Sequence, residues 1–371
     1  MKFSVKKGDI LEVLSRLQGI TGRKSGLAIT ENILIQANEN DITIMATDLE
    51  TGFWGRYPAS IGSAGKAAIN SRKLYEIVRD FPNDDVDFYE IENRWIEIGK
   101  QKVQYRIVGM NPDDFPEIPR IEDTDDFEID SVELGHMIDK TIMIASPGDD
   151  RRSHINGVFF EKISRKKKTL RMVSTDGSRL STVDYEFEKD FSFPSEISIL
   201  VPKKGLNEVK KFLPSAGPLR IGFMHNHFIA KKENETILIR LLEGSFPKYA
   251  DIIIKENCRE MVINRHVFLM MLKRMSILSS DAYKGVIFNI TDGRFTVTTT
   301  NPDLGESKEE MDIVYDGPKY EAAFNPKYFM ELLSVINEEE IRLCIINEER
   351  PCFVEGKADK RFLSVIMPMR L

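Results

Sequence analysis

The chain has 371 residues, of which 42% are hydrophobic and 30% are charged, and its formal net charge is −7. This length exceeds one ordinary core, and the composition excludes a disordered chain, so we expect two or three folded domains. The negative charge argues against a surface that coats nucleic acid everywhere, although a local basic face stays possible. No apolar run approaches the ~20 residues that span a bilayer. Because the N-terminus also lacks a signal-peptide core, we expect a cytoplasmic protein.

Each of three repeats opens with a short strand and a helix. The predicted opening strands are Phe3–Val5, Phe127–Ile129 and Met261–Ile263. A capping residue is predicted at each following helix: Asp9, Ser131 and Asn264. Gly19 is predicted to end the first of these helices. Apolar stripes at helical spacing follow: Ile10, Val13, Leu14 and Leu17; Leu134, Ile138 and Ile142; Val267, Met270, Met271 and Leu278.

A hairpin pattern comes next in each repeat. In the middle repeat, apolar and polar residues alternate on both sides of Asp176-Gly177 within Leu170–Val183, and Asp-Gly between such runs predicts a β-hairpin. Related patterns lie at Ile42–Glu50 and, more weakly, at Phe295–Asp303. The corresponding turn positions are Asp48, Asp176 and Pro302. Two interpretations stay open at this point: an exposed catalytic aspartate, or one turn of a threefold repeat.

A second helix and a proline-marked end complete each repeat. The helix starts are predicted at Asn70–Lys73, Val201–Lys204 and Asn325–Lys327, and the closing prolines are Pro116, Pro247 and Pro368. Because four landmarks recur in one order at similar intervals, we predict an α+β chain of three modules, 1–120, 127–250 and 260–371. The acidic run Ile121–Asp126 is a predicted linker, and Ile252–Glu260 is predicted to be extended and partly packed.

Residues with catalytic or metal-binding potential form no recognisable constellation. Phosphate-loop, dinucleotide-binding, zinc-protease and nucleophile-elbow motifs are absent from the sequence. His225 and His227 lack an evident third ligand, and the sequence-adjacent aspartates fit solvated turns better than paired catalytic acids. Asp176, followed by glycine, is expected to accept local backbone hydrogen bonds. We therefore expect no enzyme and no cofactor; a hydrolase that uses Asp48 and Asp176 is the enzymatic alternative.

The three cysteines, Cys258, Cys344 and Cys352, form an odd set without a C-x-x-C pair. Neither a disulfide framework nor a zinc site follows from their spacing. We expect reduced, partly buried thiols that pack as small apolar residues.

Basic residues recur on or near the predicted helices. Any solvated helix can carry lysines, but recurrence at equivalent helix starts favours a continuous positive face toward a phosphate backbone. The candidate DNA-facing residues are Lys24, Arg72, Lys73, Arg152, Lys203 and Lys204.

Seven segments carry a resemblance to a known family: M-K-F at the start, N-I-L-I-Q at Asn32–Gln36, T-D-L-E at Thr47–Glu50, I-N-G at Ile155–Gly157, T-D-G-S-R-L at Thr175–Leu180, V-P-K-K-G at Val201–Gly205 and V-I-M-P-M-R-L at Val365–Leu371. With these segments the whole chain resembles the bacterial sliding clamp, the β subunit of the DNA polymerase III holoenzyme. The resemblance implies a head-to-tail homodimeric ring of DNA-clamp modules, with helices lining the hole and sheets outside. It implies a processivity factor that slides on double-stranded DNA without reading sequence and tethers DNA polymerases, the clamp loader and other partners. A repeat scaffold that never meets DNA is the non-enzymatic alternative.

The resemblance also implies a hydrophobic pocket for partner peptides between the second and third modules. Its residues here are Ile155, Thr175, Gly177, Ser178, Arg179, Leu180, Pro247, Ile252, Val365, Ile366, Met367, Pro368, Met369, Arg370 and Leu371. Methionines suit a site that accepts many short peptides, because they repack easily. Ser178 stands where a histidine is common in the family, and Leu27–Thr30 replaces a segment that usually contains more proline. Dimer contacts are expected at Ile77, Phe81, Tyr105, Ile107, Ile277 and Leu278.

Overall fold

The structure is a computed structural model that describes residues 1–22, 26–82, 84–100, 102–119, 126–144, 152–164, 168–187, 197–224, 226–279 and 285–369. Four predicted residues, Lys24, His225, Arg370 and Leu371, lie outside this part of the chain, as does most of the predicted acidic linker. The α-helices within it are α1 (Lys7–Thr21), α2 (Ser71–Asp80), α3 (Ser131–Ile142), α4 (Ser153–Asn156), α5 (Lys203–Phe212), α6 (Arg265–Met275) and α7 (Pro326–Val335). No helix of the described ranges is long and apolar enough to cross a membrane.

Three of the predicted helix caps are confirmed by side-chain hydrogen bonds. The side-chain oxygens of Asn70, Asn264 and Asn325 accept from backbone N–H groups in the first turns of α2, α6 and α7. The other two predictions are wrong: α1 starts at Lys7 without a side-chain cap, so Asp9 lies inside its first turn. In α3 the cap is Asp130, whose Oδ1 accepts from the N–H groups of Val132 and Glu133, and Ser131 is already helical.

The apolar stripe of α1 is confirmed, that of α3 is confirmed at Leu134 and Ile138 while Ile142 is half-buried, and that of α6 is only partly correct. That helix buries Phe268, Met271, Leu272 and Met275, whereas the predicted Val267 is exposed. The true buried face keeps the i, i+3, i+4 spacing but starts one residue later. Gly19 does not end α1; it lies in the last turns of the helix, where a Cβ would come within 2.1 Å of the Glu208 Oε2 atom. The glycine therefore serves close packing instead of termination.

The described chain packs into two compact units. The described residues of Met1–Leu134 and Lys204–Leu241 form unit 1, and those of Gly135–Asp190, Ser195–Lys203 and Leu242–Leu371 form unit 2. Residues of the predicted middle module are therefore divided between the two units. Strand pairing explains the division, as the sheets of each unit show.

Unit 1 contains two antiparallel sheets. The five-stranded sheet has the order β5 (Ser60–Ser63), β1 (Lys2–Lys6), β7 (Asp85–Glu90), β8 (Trp95–Lys100) and β9 (Val103–Val108). The eight-stranded sheet has the order β10 (Asp126–Asp130), β15 (Pro218–Met224), β16 (His227–Lys232), β17 (Glu235–Arg240), β4 (Thr51–Pro58), β3 (Asp41–Thr47), β2 (Asn32–Ala37) and β6 (Gly65–Asn70). In it β17 pairs with β4, with Leu238 opposite Gly52, so the sheet joins strands of the first two predicted modules.

Unit 2 is built in the same way. Its eight-stranded sheet has the order β14 (Ser198–Pro202), β11 (Gly157–Ser164), β12 (Lys168–Thr175), β13 (Arg179–Glu186), β25 (Phe362–Ile366), β24 (Cys352–Gly356), β23 (Glu340–Ile345) and β18 (Arg259–Asn264). The four-stranded sheet has the order β21 (Gly305–Asp312), β20 (Arg294–Asn301), β19 (Val286–Thr291) and β22 (Tyr320–Phe324). Here β13 pairs with β25, and Leu180 lies opposite Val365. Pairing across a module boundary satisfies backbone groups that an isolated module would leave at a sheet edge.

The three predicted hairpins are confirmed, and their polar turn residues act on the backbone. Asp48 Oδ1 accepts from the N–H of Thr51 at 2.6 Å, and Asp176 Oδ1 accepts from the N–H groups of Ser178 and Arg179 at 2.9 and 3.0 Å. In the third hairpin this acceptor is Asn301, one residue before the predicted Pro302. The aspartates therefore shape turns, which favours the repeat over a catalytic interpretation.

The prediction of reduced thiols is wrong for two of the three cysteines. Cys258 and Cys344 form a disulfide with their Cα atoms 5.6 Å apart. The two cysteines are 86 residues apart in the sequence, so their spacing does not reveal that they are neighbours. The pairing of β18 with β23 brings them together. Cys352 is a free, buried thiol, as predicted.

Candidate functional site

A cavity of about 630 Å³ opens in unit 2 beside the junction of β13 and β25. It is lined by Thr175, Gly177, Arg179, Leu180, Asp251, Ile252, Ile254, Ile346, Glu349, Arg350, Pro351, Phe353, Val365 and Met367. Four segments distant in sequence supply these residues: the β12–β13 hairpin, the turn after Tyr249, the β23–β24 connection and the end of β25. The cavity has the predominantly apolar lining and few polar groups that are typical of a ligand site.

The hairpin wall is held rigid by a buried arginine. The Arg179 Nε atom lies 2.9 Å from Asp176 Oδ2, and its Nη2 lies 2.6 Å from a carboxylate oxygen of Glu331. Its guanidinium carbon stacks 4.3 Å above the ring centroid of Tyr328. Gly177 has φ +91°, which a residue with a side chain rarely adopts. The turn and the arginine together fix where Leu180 enters the cavity.

The second wall is the segment that follows Tyr249. The Tyr249 hydroxyl donates to Glu161, and its ring packs edge-on against Phe246, which stacks on Phe159. Beyond this anchor, Ile252 and Ile254 are 43% and 48% exposed. Large apolar side chains so exposed at the rim of a cavity are characteristic of a binding surface.

The chain's last described residues form the third wall. Val365 is buried in β25, and the Met367 N–H donates to the carbonyl of Ser178 at 2.9 Å. Two residues later, the Met369 N–H donates to the carbonyl of Ala323 at 2.7 Å. These bonds hold the two methionines in place while both side chains remain exposed.

Seven of the fifteen residues predicted for the peptide pocket line this cavity: Thr175, Gly177, Arg179, Leu180, Ile252, Val365 and Met367. Ile155 and Ile366 are fully buried and lie outside the lining set, so their role in the pocket stays a prediction. Ser178, Pro247, Pro368 and Met369 are at least partly exposed but lie outside the lining set.

Seven lining residues were not predicted: Asp251, Ile254, Ile346, Glu349, Arg350, Pro351 and Phe353. The I-I-I run after Asp251 could have indicated Ile254, because an apolar run in a turn is unusual. The five lining residues from Ile346 to Phe353 had no local signal, since the pairing of β23 with β24 alone brings that connection to the cavity.

The predicted basic face is only partly exposed. Arg72, Lys73, Arg152 and Lys204 are exposed, and the first two form ion pairs with Glu76. Lys203 is buried instead, and its Nζ donates to the carbonyl of Ile155 at 2.6 Å. Because its side chain is buried and its Nζ is engaged by this carbonyl, Lys203 is a poor candidate for a phosphate contact, and the burial also lowers its pKa to about 8. Lys327, at the matching start of α7, is also exposed and was not among the predicted residues.

The predicted dimer contacts also divide by burial. Ile77 and Phe81 are buried in unit 1, and their part in a contact with another copy stays a prediction. Tyr105, on the edge strand β9, and Ile277, after α6, are 40% and 74% exposed. Ile107 and Leu278 are half-buried beside them in sequence.

Within the described ranges, no group of three or more histidine, cysteine, aspartate or glutamate side chains is placed to hold a metal ion. The lining of the cavity likewise offers no nucleophile paired with a base. Its chemistry is that of apolar contact with a few charged groups at the rim.

Comparison with protein families assigns the whole chain. Three models of the DNA polymerase III beta subunit match in order: the N-terminal domain at residues 1–119, the central domain at 128–248 and the C-terminal domain at 251–370. The beta sliding clamp of Vibrio cholerae is 26% identical over 373 residues, with all of both chains covered.

Solved structures agree. A crystal structure from Eubacterium rectale, assigned to the DNA polymerase III beta subunits, is 30% identical with a TM-score of 0.92, and a sliding clamp of Pseudomonas aeruginosa bound to griselimycin is 26% identical with a TM-score of 0.91. Both matches cover all of both chains. Fold and comparisons together define a clamp protein built from three repeated α+β domains. The chain belongs to the DNA polymerase III beta-subunit family, the sliding clamps of bacterial DNA replication.

Proposed function

We propose that two copies of this chain close into a head-to-tail ring around double-stranded DNA and tether DNA polymerases and other partners through the cavity of unit 2. The observation that carries the proposal is that cavity, with its exposed isoleucines and methionine in a chain of the sliding-clamp family. The proposed protein is no enzyme: it raises processivity because a threaded ring stays on DNA without tight binding.

The ring contact is proposed at two sheet edges. In the described residues β9 pairs only with β8, and β21 pairs only with β20, so each strand presents unpaired backbone groups along one side. Exposed apolar side chains accompany both edges, Tyr105 and Val108 on β9 and Ile277 and Leu304 near β21. Pairing β9 of one copy with β21 of its partner would satisfy both edges, and two such contacts close a dimer.

Contact with DNA is proposed at the exposed basic helix starts. Arg72 and Lys73 of α2, Lys204 of α5 and Lys327 of α7 occupy the same part of the repeat. Such side chains reach phosphates without reading base edges, which suits a ring that slides. A net charge of −7 discourages binding of DNA to the remaining surface.

Partner docking is proposed in the cavity itself. Ile252, Ile254 and Met367 offer apolar contact, and the Arg179 network keeps the hairpin wall preorganised. We propose that griselimycin, which the Pseudomonas aeruginosa clamp binds, also binds this cavity. Micromolar docking of natural partners, about −8 kcal/mol, would allow them to exchange.

A loading experiment tests ring, DNA contact and function together. The protein is loaded by a clamp loader onto nicked circular DNA, and retention is measured by gel filtration before and after the circle is linearised. We expect retention on the circle and loss from the linear ends. A protein that is monomeric by light scattering, or that is equally retained on both DNAs, contradicts the ring and leaves the scaffold alternative.

A second experiment tests the cavity separately. Deleting Met367–Leu371 should abolish binding of labelled griselimycin in fluorescence anisotropy while light scattering still reports a dimer. The matched control is Met110→Ala, because Met110 is an equally exposed methionine in unit 1. Unchanged griselimycin binding after the deletion contradicts the assignment of this cavity as the peptide pocket.

A further inference from the structure

The disulfide lies beside the cavity in the same apolar cluster. Cys344 is buried in β23 together with Leu180, Phe353 and Val365, which are all cavity residues, and Cys258 packs against this cluster from the side. Phe353 and Cys344 are directly paired across β23 and β24, so their side chains share one face of the sheet. The sulfur bridge is therefore continuous with the floor of the cavity.

The bridge also closes the segment that forms the second wall. Residues 249–258 form turns and irregular chain and belong to no strand. Tyr249 anchors the segment at one end through Glu161 and Phe246, and Cys258 anchors it at the other through Cys344. Between the anchors lie the N–H of Ile252, which donates to the carbonyl of Tyr249, and an ion pair of Lys255 with Glu355. The exposed Ile252 and Ile254 therefore stand on a loop whose far end is held by the bridge.

We propose that Cys258 and Cys344 form a reversible redox site that sets how tightly the cavity binds its partners. The oxidised pair fixes the Cys258 end of the wall while Tyr249 fixes the other, so a partner finds Ile252 and Ile254 already in position. The reduced pair removes the covalent hold at Cys258 and leaves only the pairing of β18 with β23, which begins at Arg259, so binding must then order more of the segment at a cost in affinity. This inference rests on the proposed docking function.

The differing exposure of the two thiols gives the order of steps. Cys258 is half-buried and Cys344 is buried, so Cys258 meets an oxidant of the glutathione-disulfide class first. The Cys258 thiolate attacks one sulfur of that disulfide and releases one glutathione thiol. The Cys344 thiolate then attacks the Cys258 sulfur of the mixed disulfide and releases the second. Two protein thiols become one disulfide, and one glutathione disulfide becomes two thiols, so electrons and protons balance.

Cys352 provides a matched control on the neighbouring strand. It is adjacent in sequence to Phe353, so its side chain points to the opposite face of the sheet from Cys344. Burial raises the pKa of the Cys352 thiol well above its ordinary value, which keeps it in the unreactive form. Substituting it removes a thiol from the same sheet without touching the bridge.

The experiment compares the full-length protein after oxidation by glutathione disulfide and after reduction by dithiothreitol. Alkylation under denaturing conditions followed by mass spectrometry should label Cys352 alone in the first sample and all three cysteines in the second. We expect the oxidised form to bind labelled griselimycin about fivefold more tightly, as expected for preordering one or two side chains. Hydrogen exchange of residues 249–258 should be faster in the reduced form.

The variants separate a redox site from a merely structural contact. Cys258→Ser and Cys344→Ala should bind as the reduced protein does under both conditions, and Cys352→Ala should keep the redox difference. Equal affinities of fully oxidised and fully reduced protein overturn the inference alone, as does alkylation of Cys344 after oxidation. Absence of griselimycin binding in both states contradicts the docking function, and the proposed affinity change with it.

Discussion

The first and second hairpins have the same kind of turn, yet the residues that follow the turn give unit 1 and unit 2 different surfaces. In both hairpins an aspartate accepts backbone N–H groups, and the next residue has positive φ, 76° at Leu49 and 91° at Gly177. The first hairpin then continues with Gly52 and the second with Leu180, each on a strand that joins two predicted modules.

At Gly52 the junction is filled. A Cβ at this position would lie 2.9 Å from the Ile118 Cγ2 atom, so the glycine lets Ile118 cover the strand directly. Farther along the same pair of strands, Glu235 is buried and receives hydrogen bonds from Arg16 and Tyr57. At the junction in unit 2, Leu180 and Val365 instead form the floor of the cavity. One repeat pattern thus yields a sealed junction and an open one, and the difference rests on a few side chains.

The largest effect should come from the sealed junction. Glu235→Ala removes the carboxylate whose Oε1 lies 2.7 Å from Arg16 Nη2 and leaves a largely buried guanidinium with only the exposed Glu12, 3.9 Å away, as its ion-pair partner. We expect a loss of about 3–5 kcal/mol in the free energy of unfolding measured by urea titration. The matched control is Glu331→Ala in unit 2, where Glu331 is more exposed and the loss should be smaller. Equal losses contradict the contrast between the junctions.

Lowering the pH should reproduce part of this loss in the free energy of unfolding. Burial works to raise the pKa of Glu235, but hydrogen bonds from Arg16, Lys232 and Tyr57 outweigh it and hold the pKa below its ordinary value. A depressed carboxyl pKa gives stability that is present above the unfolded-state pKa and disappears as the pH falls through the folded-state pKa. Glu235→Gln should therefore flatten the stability profile below the ordinary carboxyl range; an unchanged acid limb in urea titrations refutes this.

At the open junction, substitution of Arg179 should weaken ligand binding to the cavity. Arg179→Ala breaks contacts with Asp176, Glu331 and Tyr328, which releases the hairpin wall of the cavity. We expect at least a tenfold loss of griselimycin affinity, about 1.4 kcal/mol, measured by calorimetry. Thr51→Ala makes the equivalent change in the first hairpin and should leave the affinity unchanged. A similar loss in both variants indicates a general effect on folding.

Adding a methyl group at Gly52, where Ile118 packs closely, should lower the free energy of unfolding by a moderate amount. In Gly52→Ala the new Cβ displaces Ile118, and overpacking of this kind costs about 1–3 kcal/mol. Urea titration measures the cost. The double variant with Ile118→Ala, which removes the opposing Cγ2 and Cγ1 atoms, should recover part of it, whereas additive losses show that the two residues do not meet.

The smallest effect should come from the shared turn. Leu49→Gly removes a side chain from a positive-φ position and should stabilise the protein by up to about 1 kcal/mol, because the side chain is half exposed and loses little packing. Gly177→Ala should destabilise it by a similar amount, although a Cβ there meets no neighbour within 4 Å. If both variants shift the urea midpoint in the same direction, the two turns are not equivalent.

The sequence predicts the repeat well because the relevant signals are local. Asn70, Asn264 and Asn325 mark helix starts by the acceptor in each side chain, and Asp176-Gly177 marks a turn by its backbone preference. Predictions that required knowing which face is covered were less reliable. Lys203 resembled its neighbour Lys204 in sequence, yet one is buried and the other exposed, since α5 turns successive residues to different sides.

By itself the sequence determined the order of strands, hairpins and helices and, through seven segments that resemble those of a known family, the family. Only the tertiary structure decided how strands of neighbouring modules pair. That pairing joins strand edges that are far apart in the sequence, so local residue preferences do not reveal it. That pairing divides the middle module between two units, brings the β23–β24 connection to the cavity and joins Cys258 to Cys344. Contacts between residues far apart in sequence carry no local pattern, so they become visible only when the sheets are complete.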